Sequence, residues 1–340
     1  MKVKKRLDIP CGQTYLFELE DGNLLEAGDV FMARERAYGT RPYRFADFDA
    51  PSDHNKRVMT ICTMAGCPVG CRFCASSRTF KRKLTSTEIV GQVLAMVDNG
   101  VALGRDADPA NAHEFRVLYT RMGEPMLNAD NVVASVKELI RRWPHIIVGM
   151  STSGFQKGVD TFLQSPDVIP YVDMQFSLHS TSDSERRWLF DGEIGTKMMS
   201  IPQIGESVRA WAKHTERKTS LNVILFDGFT YDFASLLEHF DPKDIWLRLS
   251  PWNVVQKSEE HGFEGMLRSD DVLHKRPMSS EKLRGIIDDI EKLGIVYSYA
   301  PAIDEEIKYQ VACGQALEAF RLEVQESEKP KSERLRVIAA

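Results

Sequence analysis

Apolar and polar residues along this 340-residue chain keep two rhythms, a period of two in short runs and a period near 3.6 in the stretches between them. The first alternating runs, within 14–31, predict two short strands joined at Asp21-Gly22, the chemistry of a tight hairpin. Further β-rich runs at 57–63, 115–120, 146–152, 172–178, 219–226, 244–249 and 295–299 predict strands. Helical periodicity appears near 130–142, 155–164, 203–216, 231–240 and 279–293. Thr85-Ser-Thr-Glu88 forms a capping box, after which Ile89, Val90, Val93, Leu94 and Val97 share one helical face. From about 32 to 56 there is no period, which predicts a loop. Strand followed by helix, repeated about six times, predicts an α/β fold with a parallel sheet covered by helices. Curled, such a sheet is a partial (β/α)6 barrel carrying a small N-terminal β-hairpin; a flat doubly wound sheet is the alternative.

Composition adds boundaries. With 43% hydrophobic and 27% charged residues, the chain suits one large core at 56–300. An N-terminal β extension and linker at 1–55 precede it, and a C-terminal segment at 301–340 follows, charged over 323–336. No apolar stretch approaches the roughly 18 residues of a membrane span. A net charge of −5 argues against a protein that coats nucleic acid indiscriminately. It leaves room for local basic paths, for which 2–6, 78–83, Arg141-Arg142 and Arg186-Arg187 are candidates. Six cysteines, four of them between 62 and 74, make no secreted disulfide framework, and the first residues lack the apolar run of a signal peptide. The expectation is a reduced, cytoplasmic protein.

The clustered cysteines carry the chemistry. Cys67-Pro-Val-Gly-Cys71-Arg-Phe-Cys74 sets three thiols on one short loop. Three thiolates can reach three corners of a [4Fe-4S] cube and leave one iron open. A structural zinc site competes with this reading, with His54 or Cys62 as fourth ligand. The spacing, with an aromatic before the last cysteine, resembles that of the radical S-adenosylmethionine (SAM) enzymes, in which the open iron holds the amino and carboxylate groups of SAM. Other polar motifs follow predicted strands: Tyr119-Thr-Arg-Met-Gly123-Glu124-Pro125, Ser151-Thr-Ser-Gly154, Ser177-Leu178-His179 and Pro251-Trp-Asn253. A glycine admits close backbone approach, a carboxylate meets an ammonium, and hydroxyls and an amide suit a ribose and an adenine edge. Each motif alone is ordinary strand-end polarity; their recurrence after successive strands points to one shared pocket. A lone cysteine, Cys313, stands between small and polar neighbours in Val311-Ala-Cys313-Gly-Gln315.

Taken in order, these pieces resemble the RlmN/Cfr family of radical SAM methyltransferases, which act on an adenosine of 23S ribosomal RNA and, for RlmN, of some tRNAs. The matching segments lie between about 15 and 315 and include Glu18-Leu-Glu-Asp-Gly-Asn-Leu-Leu-Glu26, Met122-Gly-Glu-Pro-Met-Leu-Asn128 and Ala312-Cys-Gly-Gln315. The resemblance implies a radical SAM barrel, with the cluster on Cys67, Cys71 and Cys74. It implies SAM contacts from Gly123, Glu124, Ser151, Ser177, Leu178, His179 and Asn253. It further implies that Cys313 is itself methylated, that Glu26 accepts the ring proton, and that an electron donor such as flavodoxin or ferredoxin serves the cluster. An aromatic amidine carbon is not nucleophilic and cannot displace the methyl group of SAM, so a radical route is required.

Four departures bear on the substrate. The family's second cysteine falls at Thr60; the nearest thiol is Cys62, of the same strand parity and therefore a candidate substitute. Only 66 residues precede the cluster cysteines, so the family's helical N-terminal domain is not expected. An insertion separates Glu26 from the strand before the cluster. The family's Arg-Gly-Asp-Ile is replaced by Ala300-Pro-Ala-Ile-Asp304-Glu-Glu-Ile307. The leading expectation is an RNA methyltransferase. The alternatives are a divergent paralogue acting on a small molecule, a peptide or another nucleic acid, and a non-enzymatic Fe-S or zinc protein with RNA-binding surfaces.

Overall fold

The computed structural model describes residues 1–9, 12–33, 52–102, 109–112, 114–226, 228–251, 280–299, 317 and 320. Four strands open the chain: β1 (Lys2–Ile9), β2 (Gly12–Glu18), β3 (Leu24–Ala33) and β4 (Ser52–Thr60). A two-stranded ribbon of β5 (Met64–Ala65) and β6 (Arg82–Lys83) brackets the cysteine loop. The remaining strands are β7 (Glu114–Tyr119), β8 (Ile147–Thr152), β9 (Val172–Ser177), β10 (Thr219–Leu225), β11 (Ile245–Pro251) and β12 (Tyr297–Tyr299). Between and after them run α1 (Ser86–Ala102), α2 (Ala129–Arg142), α3 (Gln156–Leu163), α4 (Asp183–Leu189), α5 (Ile201–Trp211), α6 (Phe233–Leu236) and α7 (Ser280–Lys292).

All strands except the ribbon form one sheet of order β1-β2-β3-β4-β7-β8-β9-β10-β11-β12. β1 to β4 pair antiparallel, and from β4 onward every neighbour is parallel. The parallel strands lie in sequence order with no reversal, whereas a doubly wound sheet reverses at its switch point. That alternative is therefore set aside. Right-handed crossovers that never reverse place all the connecting helices on one face.

Side-chain burial shows the same asymmetry. On β7 the residues Phe115, Val117 and Tyr119 are buried while Glu114, Arg116 and Leu118 are half-buried, and β9 alternates likewise. One face thus packs under helices and forms the core; the other is polar and partly open. Sheets covered on both faces read as continuous apolar runs, and these strands do not. The polar face, carrying Ser151, Gln175, Ser177, Asn222 and Ser250, is where a ligand can be held.

The N-terminal region differs from the expected hairpin. A third strand, β1, joins it, and the three continue the main sheet through β4. The 2–6 run that reads as a basic path is this edge strand, and its lysines suit an edge that must not pair with another chain. Both ends of the unperiodic 32–56 stretch are strand, since β3 runs to Ala33 and β4 starts at Ser52. β4 ends at Thr60, three residues short of the expected end. The capping box at Thr85 forms: Glu88 N donates to Thr85 Oγ1 at 3.2 Å, and Thr85 N to Glu88 Oε2 at 2.9 Å. Arg82 binds both Glu88 and Asp21, tying the β2–β3 turn to α1. Among the described residues no helix is long and apolar enough to cross a membrane.

Candidate functional site

The cysteine loop sits beyond the end of β4 and leans on the segment after β9. Cys71 makes an isolated backbone bridge with Phe190, and Arg72 N donates to Leu189 O at 2.9 Å. Phe73 meets the His179 ring edge-on at 4.9 Å between centroids, so the aromatic before the last cysteine joins the loop to the strand end that carries Ser177. Cys67 is buried, Cys71 and Cys74 are half-buried, and none is in a disulfide. Among the described residues no three His, Cys, Asp or Glu side chains stand close enough to share a single metal ion. A cluster spreads its ligands over several irons, and the donor set, three soft thiols on one loop, suits iron–sulfur ligation.

Across the polar face, the strand ends bring together most of the other expected residues. Gly123 has φ of +105°, and a Cβ there would stand 2.6 Å from Thr63 Oγ1 and 2.8 Å from Met64 N, so the turn presses on the chain leading to the cysteines. The buried Glu124 carboxylate is committed to the protein: it accepts from Met126 N at 3.0 Å, Thr152 Oγ1 at 2.5 Å and Ser153 N at 2.8 Å. Burial pushes its pKa up, against these bonds. Ser151 Oγ accepts from Gln175 Nε2 at 2.9 Å, and Ser250 Oγ donates to Asn222 Oδ1 at 3.2 Å. Leu178 and His179 both donate their backbone N–H to Asn222 O. His179 takes a left-handed φ of +60°, and its Nδ1 accepts from Ile224 N at 3.2 Å. Desolvation, then the nearby Arg186 cation, lowers its pKa to about 3, so the ring is neutral.

Gln175, Asn222, Ser250 and Arg186 are absent from the sequence-based list. The first three lie inside strands, where a lone polar residue at a half-buried position gives no motif. Arg186 reads as part of a basic path but is almost wholly buried. Its Nη1 donates to the carbonyls of Ser177 and Leu178, and Nη2 donates to Ser153 O. It binds two strand ends together instead of facing solvent.

Glu26 and Cys62 meet. The β3–β4 register pairs Gly28 with Thr60, and its continuation sets Glu26 opposite Cys62. The Cys62 thiol donates to Glu26 O at 2.9 Å. The buried Gln92 side chain on α1 clamps the Cys62 backbone from both sides, accepting from its N–H and donating to its C=O, each at 2.9 Å. The Glu26 carboxylate accepts from Arg121 Nη1 at 2.6 Å and from the backbone N–H of Leu317 at 3.0 Å. Arg121 Nε also donates to Thr60 Oγ1 at 2.8 Å. Cys313, Asn253 and 300–307 lie outside the described residues, as does the side chain of His54. Leu317, which reaches Glu26, is four positions beyond Cys313.

No protein-family model matches the chain. A probable dual-specificity RNA methyltransferase RlmN of Heliobacterium modesticaldum is 32% identical over 257 residues, spanning 72% of this chain and 58% of that protein. A protein of the same description from Fervidobacterium nodosum is 28% identical over 308 residues, spanning 85% of this chain and 78% of that one. The chain thus spans less than two thirds of the first relative's length. The crystal structure of a radical SAM methyltransferase from Sphaerobacter thermophilus superposes with a TM-score of 0.67 at 20% identity, over 92% of this chain and 80% of that one. It shares the fold.

Proposed function

Because the chain is a divergent relative of the RlmN family, we propose that it is a radical SAM methyltransferase acting on an adenine ring carbon of RNA. Cys67, Cys71 and Cys74 would hold a [4Fe-4S] cluster. The Gly123–Glu124 turn, Ser151, Ser177, Leu178, His179 and Asn253 would hold SAM against it, on the polar face of a sheet curled into a partial (β/α)6 barrel. When bound, cluster and SAM supply a one-electron route to a carbon that no nucleophilic displacement could reach.

The chain's own groups do the rest. Cys313 carries the methyl group, Glu26 accepts the ring proton and Cys62 releases the product. The observation that supports this assignment is the contact of Glu26 with both Cys62 and the segment just beyond Cys313. Arg121 Nη1 donates to the Glu26 carboxylate at 2.6 Å and holds it in place. The Glu124 carboxylate serves by shaping its turn, which leaves backbone carbonyls to meet the SAM ammonium. An RNA partner fits the surface beside the loop, where Trp188 and Phe80 are exposed, Arg72 lies over the Trp188 ring, Arg72 and Arg78 share the one carboxylate of Asp191, and Lys81 is exposed. Exposed aromatics interleaved with arginine stack unpaired bases. An electron donor such as flavodoxin or ferredoxin would reduce the cluster.

One observation favours a second reading, a paralogue with another substrate: the position of the family's second cysteine is Thr60, engaged by Arg121. Reconstituted enzyme incubated with SAM and total RNA from a deletion strain separates the two. The proposed function requires a new methylated adenosine by nucleoside mass spectrometry, together with a one-methylene mass gain mapped to Cys313. An unmodified Cys313 under turnover, or activity kept by Cys313→Ala, would transfer support to the second reading.

A further inference from the structure

Three hydroxyls packed around the cysteine loop have no hydrogen-bond partner: Thr63 Oγ1, Ser76 Oγ and Ser77 Oγ. Their residues are 1%, 3% and 3% exposed, so bulk solvent does not reach them. Buried hydroxyls are almost always partnered, and one left alone is destabilising. Thr60, Thr152, Ser151 and Ser250 nearby all find partners, while Arg186 Nε and, farther off, the Ser298 hydroxyl share the shortage. Even Thr79, in the same loop, donates to the Ser76 carbonyl at 2.7 Å. What distinguishes the three is their position. Ser77 N donates to Cys74 O at 3.1 Å, and its backbone bridges to Cys67, which puts the residue between the first and last thiols. Ser76 precedes it. Thr63 stands four residues before Cys67, and its hydroxyl lies against Gly123.

We propose that Ser76, Ser77 and Thr63 are positioning donors to the sulfur atoms of the cluster, and that they raise its reduction potential. The inference rests on the reading that this loop holds a [4Fe-4S] cluster. Thiolate and sulfide sulfurs bear negative charge and accept hydrogen bonds, and a donor favours the reduced, more negative state. Donors that are unpartnered without the cluster and partnered with it predict opposite effects in the two forms of the protein.

The test compares Ser76→Ala, Ser77→Ala and Thr63→Val with wild type. In the apo-protein each substitution removes an unsatisfied hydroxyl, so the melting temperature stays level or rises. After anaerobic reconstitution iron content is unchanged, but the midpoint from an EPR-monitored redox titration moves to a more negative value. Each variant also loses one of the exchangeable proton couplings that ENDOR in D2O detects in wild type. Full iron with an unmoved midpoint and intact couplings would overturn this inference alone, as would apo-proteins destabilised by all three substitutions. A wild-type chain that takes up no iron would overturn the underlying reading as well.

Discussion

Cys62 shows how far single residues could be read. The cluster spacing named Cys67, Cys71 and Cys74, and strand parity placed Cys62 on the same side as Thr60. Its contact with Glu26 needed the β3–β4 register, which no local pattern contains. Arg121 falls inside the Tyr119–Pro125 motif, but a single arginine in a turn points to no role, and only tertiary structure sets it between Glu26 and Thr60. Gln92 ends the Glu88-Ile-Val-Gly-Gln92 segment that matches the family, its hold on Cys62 shows only in the fold, and its replacement tests the clamp. Gln92→Leu removes both hydrogen bonds that its side chain makes to the buried Cys62 backbone, and we expect a loss of roughly 2–4 kcal/mol in urea unfolding. A loss under about 0.5 kcal/mol would mean the clamp is dispensable. His179 gives a pH dependence. With a folded pKa of about 3 against 6.5 as the ordinary value, the unfolded chain binds a proton that the fold refuses. Stability therefore rises with pH between those limits, by up to about 1.4 kcal/mol per unit, and this contribution levels off above them. His179→Asn tolerates the left-handed backbone and removes the titration, so its urea midpoint should vary less than wild type's from about pH 4 to about pH 7. Identical slopes would contradict the assignment.

Among the elements, the parallel strands and long helices were legible because burial on one face imposes period two or 3.6. β1 and α4 were not. β1 is an edge strand whose charges look like a basic run, and α4 is a seven-residue helix with few apolar positions. The expected helix at 231–240 shrinks to α6, Phe233–Leu236. α3 carries a prediction in which two effects oppose. Alanine for an exposed helical glycine gains about 1 kcal/mol. At Gly158, however, a Cβ would stand 2.2 Å from Met126 O and 2.5 Å from Met126 Cα, in the turn that follows Glu124. Backbone cannot yield as a flexible side chain does, so Gly158→Ala should lower the melting temperature and displace that turn. A raised melting temperature would show that α3 is free to shift.

For the whole molecule, strand order matters most: parallel strands laid down in sequence order leave one face polar and gather the cysteine loop, the Gly123 turn, Ser177 and Glu26 around it. Strand–helix alternation in the sequence gave the class of fold, but the continuity of the N-terminal strands with the main sheet depends on β3–β4 pairing across a long connection that carries no periodic signal. The proposed function requires the cysteine loop to hold an iron–sulfur cluster. Iron and acid-labile sulfide measured on anaerobically reconstituted protein test this directly. We predict brown wild-type protein with about four irons per chain and a reduced-cluster EPR signal altered by SAM. Cys71→Ala should be bleached and unable to cleave SAM. A colourless wild type that takes up stoichiometric zinc under the same conditions would contradict the account.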